Sequence, residues 1–118
     1  MKPDARVFAR RFAAIGHEMR LEIVRLLLAA HPHGMVAGEI QQELNIPAST
    51  LSHHLDALHQ EKLVRQHREG RFLRYVADDQ SLREVLDFLY AECCTRNQVV
   101  QISVPAPSAS RGARKASS

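Results

Sequence analysis

Cysteines and long apolar runs are scarce in this chain of 118 residues, and each scarcity excludes a class of protein. Two cysteines, adjacent in the sequence, cannot staple a secreted disulfide scaffold. No stretch approaches the roughly 18 apolar residues that span a bilayer, and the charged N-terminal segment MKPDARVFARRF lacks the apolar run of a signal peptide. We therefore expect a cytoplasmic protein without membrane contact, in which the thiols stay reduced.

Enzyme motifs are also missing. The chain has no glycine-rich phosphate loop, no nucleophile elbow and no paired-carboxylate motif. Cysteine, histidine and aspartate side chains could in principle form a nucleophilic site, so an enzyme is the rival class at this point. The missing motifs nevertheless favour a protein without catalytic residues and without an organic cofactor.

What the chain does contain is a helical repeat of apolar residues, which predicts five helices. The first covers Ala5 to Ile15, and the second is marked by apolar residues between Met19 and Ala30. The third spans 36–44, and the fourth begins near Ser49 and runs through Leu58. The last is capped by Asp79 or Ser81, frays near Asn97, and carries an apolar stripe of Leu82, Val85, Leu86, Leu89, Tyr90 and Cys93.

A change to residues that favour strands follows the fourth helix. Segments 63–67 and 71–76 are rich in such residues, and Arg68-Glu69-Gly70 separates them, which predicts a β-hairpin. The predicted fold class is mainly α with a small β-hairpin (α+β): a winged helix-turn-helix of five helices plus a two-stranded wing, over residues 1–97. Residues 98–118 are rich in Pro, Ala and Ser, which predicts a disordered tail.

Two short helices around a tight turn, followed by a basic hairpin, are typical of a winged-helix DNA-binding protein. In such proteins the second helix enters the major groove and the hairpin follows the phosphate backbone. A merely solvated hairpin is the alternative for the wing taken alone. The candidate DNA-binding residues are Ser49, Thr50, Ser52, His53 and His54 on the helix, and Arg68, Arg71 and Arg74 on the wing.

The segments IGHEMRLEIVRLLL and VAGEIQQELNIPASTLSHHLDALHQEKLVRQHREGRFLRYVA resemble the arsenic-responsive ArsR-type (ArsR/SmtB) repressors. The resemblance covers about residues 5–96, with Lys62 where glycine is more usual. It implies a homodimer with the first and last helices at the subunit interface. It also implies a repressor that binds an imperfect inverted repeat of double-stranded operator DNA until an inducer arrives.

Membership of this family does not identify the inducer, because its members place their inducer sites differently. The segment MVAGEIQQEL has no Cys-x-Cys pair, and the last helix has no histidine for a zinc site. What remains is Cys93-Cys94, which resembles the vicinal pair of a third, arsenite-sensing subgroup. The resemblance thus implies Cys93 and Cys94 as ligands of arsenite or antimonite.

The chemistry of the cysteine pair is open at this point. Trivalent arsenic prefers three sulfurs, and segment 97–104 supplies no third cysteine. Three hypotheses follow, in order of preference. Water or a cellular thiol completes the site, or the site binds a methylarsenical that needs only two sulfurs, or the protein does not respond to an inducer. The pair also fits another metal ion, a redox or reactive-sulfur signal, or a role for Cys93 as a small core residue. Seven histidines suggest zinc, but their placement favours solvated or phosphate-facing roles.

Overall fold

A computed structural model describes residues 4–97 of the chain. The elements are α1 (Ala5–Ile15), α2 (Glu18–Ala29), β1 (Met35–Val36), α3 (Ala37–Leu44), α4 (Ala48–Gln60), β2 (Val64–Glu69), β3 (Phe72–Ala77) and α5 (Asp79–Tyr90). Five helices with a small antiparallel sheet confirm the predicted winged helix-turn-helix. Within residues 4–97, no helix is both long enough and apolar enough to cross a membrane. The predicted tail, 98–118, lies outside the described residues.

Side-chain caps begin the first and last helices. The carboxylate of Asp4 accepts a hydrogen bond from the backbone N–H of Arg6 at 2.9 Å. Asp78, rather than the predicted Asp79 or Ser81, caps α5, because its Oδ1 accepts from the backbone N–H of Ser81 at 3.0 Å. Both caps satisfy N–H groups that have no partner within the helix.

The sheet has the strand order β1-β3-β2, so it contains one strand more than the predicted two-stranded wing. In β1, Met35 pairs with Tyr75 and Val36 pairs with Arg74. Val36 therefore belongs to a strand and not to the third helix. Two residues are too few to show the alternation of a strand, and β1 exists only because β3 supplies its partner.

A buried glycine fixes the approach of β1 to the wing. Gly34 has φ +73°, and a Cβ at this position would collide with the backbone carbonyl of Tyr75. The left-handed backbone and the close approach both require glycine. The turn after α2 is thereby held against β3.

The core lies between α2, α3, α4 and the base of the sheet. Its largest fully buried side chains are Ile23, Leu27, Ile40, Leu51, Leu55, Leu58, Leu63 and Val64. Burying one such side chain contributes about 1.5–3 kcal/mol. The helix-turn-helix and the wing therefore share one core, which fixes their relative positions.

The end of α5 differs from the sequence prediction. The helix stops at Tyr90, and turns follow over 91–96, so Cys93 does not continue its apolar stripe. Cys94 has a left-handed φ of 66°, and the hydroxyl of Thr95 donates to the backbone carbonyl of Glu92 at 3.2 Å. Such local side-chain bonds compete with helical ones, and nothing in the described chain packs over this end of the helix.

Candidate DNA interface and thiol pair

Helix α4 presents a polar face to solvent because its apolar residues hold it to the core. The turn before it begins at Asn45, whose left-handed φ of 54° ends α3. Leu51, Leu55 and Leu58 are buried on the inner face of α4. The exposed side of its first turns carries Ser49, Thr50, Ser52 and His53, four of the candidate DNA-binding residues.

The N-terminus of α4 has the chemistry of an anion site as well. Its N-cap is Pro47, which makes no side-chain hydrogen bond to the helix. The first N–H groups of α4 therefore have no capping side chain. They form the positive end of the helix dipole, which favours a negative charge at this position. A phosphate of the DNA backbone fits this position.

His54 does not belong to the exposed face. Its side chain is only 7% exposed, and Nε of Arg20 in α2 donates to its Nδ1 at 3.1 Å. We therefore remove His54 from the candidate DNA contacts. The sequence spacing could have predicted the burial of His54, because His54 lies three residues after Leu51 and four before Leu58, and residues three or four apart share one face of a helix.

The wing places three arginines in solvent. Arg65, Arg68 and Arg71 are exposed, and Arg71 follows Gly70 in the turn between β2 and β3. Over residues 4–97, none of the three has a carboxylate within ion-pair distance. Guanidinium groups in this situation can bind phosphates without first breaking an internal contact.

Arg74 is half-buried and makes internal contacts instead. Its Nε lies 2.9 Å from Oε2 of Glu69, and its Nη1 donates to the carbonyl of Gly34 at 3.3 Å. The guanidinium lowers the pKa of the Glu69 carboxyl below its usual range, chiefly through the hydrogen bond between them. These contacts tie the wing to the turn after α2, which makes Arg74 a structural residue of the wing.

Helix α5 packs on α1 with one face and leaves the other uncovered. The rings of Phe8 and Phe88 stack with centroids 4.4 Å apart, and Nη1 of Arg11 lies 3.4 Å from Oε1 of Glu84. On the opposite side of α5, large apolar side chains at positions i, i+3 and i+4 reach solvent. We call this the outer apolar face, and it consists of Leu86 (58% exposed), Leu89 (61%) and Tyr90 (70%).

The two thiols lie just beyond that face. Cys93 and Cys94 are both exposed, and their Sγ atoms are 3.3 Å apart. The backbone N–H of Cys93 donates to the carbonyl of Tyr90 at 2.8 Å, which keeps the pair close to the end of α5. The hydrogen bond with Cys94, and the charge that Cys94 can carry, raise the pKa of the Cys93 thiol. The two sulfurs therefore converge on one point, and the interaction between them disfavours the ionised form of the Cys93 thiol.

Histidines and carboxylates do not form a comparable cluster in the described part of the chain. No group of three or more His, Cys, Asp or Glu side chains among residues 4–97 could hold a metal ion. His31 instead pairs with Asp79, with Nε2 and Oδ1 3.4 Å apart. His67 pairs with Glu69 at the same distance.

Known proteins share this fold and its central sequence. A family model described as a helix-turn-helix domain matches residues 15–67. The transcriptional repressor SdpR of Bacillus subtilis is 32% identical over 78 residues, covering 66% of this chain and 83% of SdpR. The transcriptional activator HlyU of Vibrio cholerae is 28% identical over 85 residues, covering 72% of this chain and 76% of HlyU.

A solved structure extends the similarity to three dimensions. An ArsR-like transcriptional regulator from Rhodococcus sp. RHA1 is 28% identical to this chain, with a TM-score of 0.64. The match covers 74% of this chain and 79% of the Rhodococcus chain.

Proposed function

The chain belongs to the ArsR-type family of helix-turn-helix transcriptional regulators, and we propose that it is a homodimeric repressor released from its operator by trivalent arsenic or antimony at Cys93 and Cys94. Its relatives are transcriptional regulators, which confirms the expectation of a DNA-binding protein that is not an enzyme. SdpR is named a repressor and HlyU an activator. We favour repression because an ion that weakens DNA binding then switches on the controlled gene.

The exposed face of α4 and the wing support the DNA-binding part of the proposal. Ser49, Thr50, Ser52 and His53 offer hydroxyl and imidazole groups to base edges and phosphates. Arg68 and Arg71 add charge at the wing, where the phosphate backbone passes beside a helix in the major groove. In a dimer, two such surfaces read an inverted repeat whose half-sites are about 34 Å apart.

The outer apolar face supports the homodimer. Three large apolar side chains on one face of α5, Leu86, Leu89 and Tyr90, reach solvent and form a surface that a second copy of the chain can cover. A two-fold interface uses the same patch on both subunits, so Leu86 and Leu89 of each copy would meet the other's face. Such an interface makes α5 the element that sets the separation of the two recognition helices.

The observation that carries the inducer proposal is the 3.3 Å separation of two exposed sulfurs directly after α5. An ion held at metal–sulfur distances of about 2.3 Å can bridge sulfurs up to about 4.6 Å apart. Thiolates also prefer soft centres over magnesium or calcium. With arsenous acid, the Cys93 and Cys94 thiols form two As–S bonds and release two water molecules. The third arsenic position then carries a hydroxyl, a cellular thiol or, in methylarsenite, the methyl group.

The adjacency of the two cysteines argues for ion capture over redox sensing. A disulfide between adjacent cysteines is strained. Condensation with arsenous acid releases water and consumes no oxidant.

The proposed release of the protein from DNA follows from the position of the cysteine pair, directly after the end of α5. Drawing both sulfurs onto one ion reshapes the end of the interfacial helix and shifts the two recognition helices away from the fixed half-site spacing. A coupling of about 1–3 kcal/mol lowers DNA affinity roughly 5- to 150-fold.

A panel of inducers tests the function. The wild-type protein first selects a duplex from a random-sequence pool, and fluorescence anisotropy then follows this selected duplex under reducing conditions. Arsenite, antimonite or methylarsenite should release it at concentrations at which zinc ions and persulfide do not. No specific duplex at all would refute the DNA-binding function. Release by zinc or persulfide alone would refute the inducer assignment.

A further inference from the structure

The buried histidine of α4 is held by a hydrogen bond that depends on its charge state. His54 lies among the core leucines, and its Nδ1 accepts from Nε of Arg20 at 3.1 Å. A ring nitrogen accepts a hydrogen bond only when it carries no proton. The observed contact therefore requires neutral His54, with its hydrogen on Nε2.

The surroundings of His54 contain positive and titratable groups, and no carboxylate of residues 4–97 pairs with its ring. From α2, Arg20 faces it, and the ring of the N-cap residue His17 lies 4.7 Å away. From α4 itself, the ring of His53 lies 5.9 Å away. Burial is the largest cause that lowers the pKa of His54 below the ordinary value of 6.5, and the charges of these three groups lower it further.

The lowered pKa of His54 determines that acid weakens, rather than strengthens, the contact between α2 and α4. The folded arrangement favours neutral His54, so the α2–α4 contact is fully present above about pH 6.5. As the pH falls below that value, the unfolded or loosened state binds a proton more readily, and the contact weakens. A protonated ring would present an N–H to the N–H of Arg20 and add a further positive charge to a cationic cluster.

We propose that Arg20 and His54 are positioning residues that lock the recognition helix onto α2, and that acid opens this lock and weakens specific DNA binding. The proposal rests on the proposed role of α4 in reading DNA. It gives His54 a task that differs from the base contact expected from the sequence. The side chain sets where α4 lies, and the exposed residues of α4 read the groove.

A merely electrostatic effect of the histidines would have the opposite sign. An exposed histidine side chain that gains a proton adds positive charge, and this strengthens binding to phosphates. Loss of binding in acid therefore cannot come from such a side chain. A merely structural role of His54 would change affinity by the same factor at every pH.

The test compares His54→Asn with a matched control, His59→Asn, on the selected duplex. Asparagine places an uncharged oxygen near the position of Nδ1, so it can accept from Arg20 at any pH. Anisotropy titrations at about pH 5 and about pH 7.5, at constant ionic strength, give the affinities. We expect wild type and His59→Asn to lose affinity in acid, with a limit of about tenfold per pH unit for each subunit. We expect His54→Asn to keep its affinity.

An equal pH dependence of wild type and His54→Asn would overturn the proposal. The free wild-type protein gives a second measurement that needs no variant: an NMR titration of the histidine rings. His54 should titrate below pH 6.5, the ordinary value for a histidine, together with changes in the α4 amide signals. Titration of His54 at or above pH 6.5 would also overturn the proposal. Failure of wild type to bind any duplex at pH 7.5 would instead refute the DNA-binding function and, with it, this role for the lock.

Discussion

The helix-turn-helix and the end of α5 differ in how far a single chain completes them. In α4, Leu51 and Leu55 are at most 2% exposed, and the polar residues of the same helix face outward. In α5, Leu86 and Leu89 are more than half exposed, and the helix stops before the cysteines. One chain therefore completes the surface proposed to read DNA, whereas the outer apolar face of α5 is left for the second copy that we propose to cover it. Changes in the first region should act on stability or DNA contacts, and changes in the second on assembly and release.

The largest expected effect comes from charging the outer apolar face. The double variant Leu86→Glu/Leu89→Glu should raise the dimer dissociation constant at least a hundredfold, because about 3 kcal/mol or more of stabilisation by apolar burial disappears. Specific DNA binding should fall with it, since a monomer reads one half-site. Sedimentation velocity and anisotropy on the selected duplex measure the two effects.

Leu28→Glu is the matched control for this variant. Leu28 is an exposed leucine of α2, 41% accessible, and it lies outside the outer apolar face. Its replacement should leave the dimer intact. A double variant that stays dimeric, or a wild-type protein that is monomeric at micromolar concentration, would contradict the comparison.

The wing arginines should separate into two kinds. Arg71→Ala should reduce the slope of log affinity against log salt by about 0.9 for each phosphate that the arginine binds, without changing stability. Arg74→Ala should leave the slope unchanged and lower the free energy of unfolding by about 1 kcal/mol, because the half-buried carbonyl of Gly34 loses its donor. Salt titrations and urea unfolding distinguish the two. A reduced slope for Arg74→Ala would return Arg74 to the DNA interface.

The smallest expected effect is a gain in stability at the turn after α4. Lys62 has φ +63°, in the left-handed region that disfavours a Cβ. Lys62→Gly should raise the free energy of unfolding by about 0.5–1 kcal/mol. Lys62→Ala keeps the Cβ and should give no gain. Equal stability of the two variants would show that the backbone strain is not the cause.

Most of the fold could be predicted from the period of the apolar residues. The spacing predicted the observed bounds of α1, Ala5–Ile15, and placed the other helix starts within one to three residues. Strand β1 was missed because its existence depends on β3, whose paired residues lie about 40 positions further along the sequence. The predicted end of α5 was wrong because Cys93 continues the apolar spacing although no core covers that end in the described chain.

The candidate site was predicted in part, for a related reason. Residue types favourable for DNA contact identified Ser49, Thr50, Ser52 and His53, which are exposed. They could not show that His54 points inward to Arg20, or that Arg74 pairs with Glu69 across the hairpin. Arg20 and Glu69 reach these residues only through tertiary packing, which residue types alone do not specify.

The most direct test of the central claim uses the double variant Cys93→Ser/Cys94→Ser on the selected duplex, with arsenite added to the preformed complex. Because the thiols lie apart from α4 and the wing, the variant should bind DNA like wild type before arsenite is added. It should then remain bound at arsenite concentrations that release wild type. Release of the variant at those same concentrations would contradict the account, because the sensing site would then lie elsewhere.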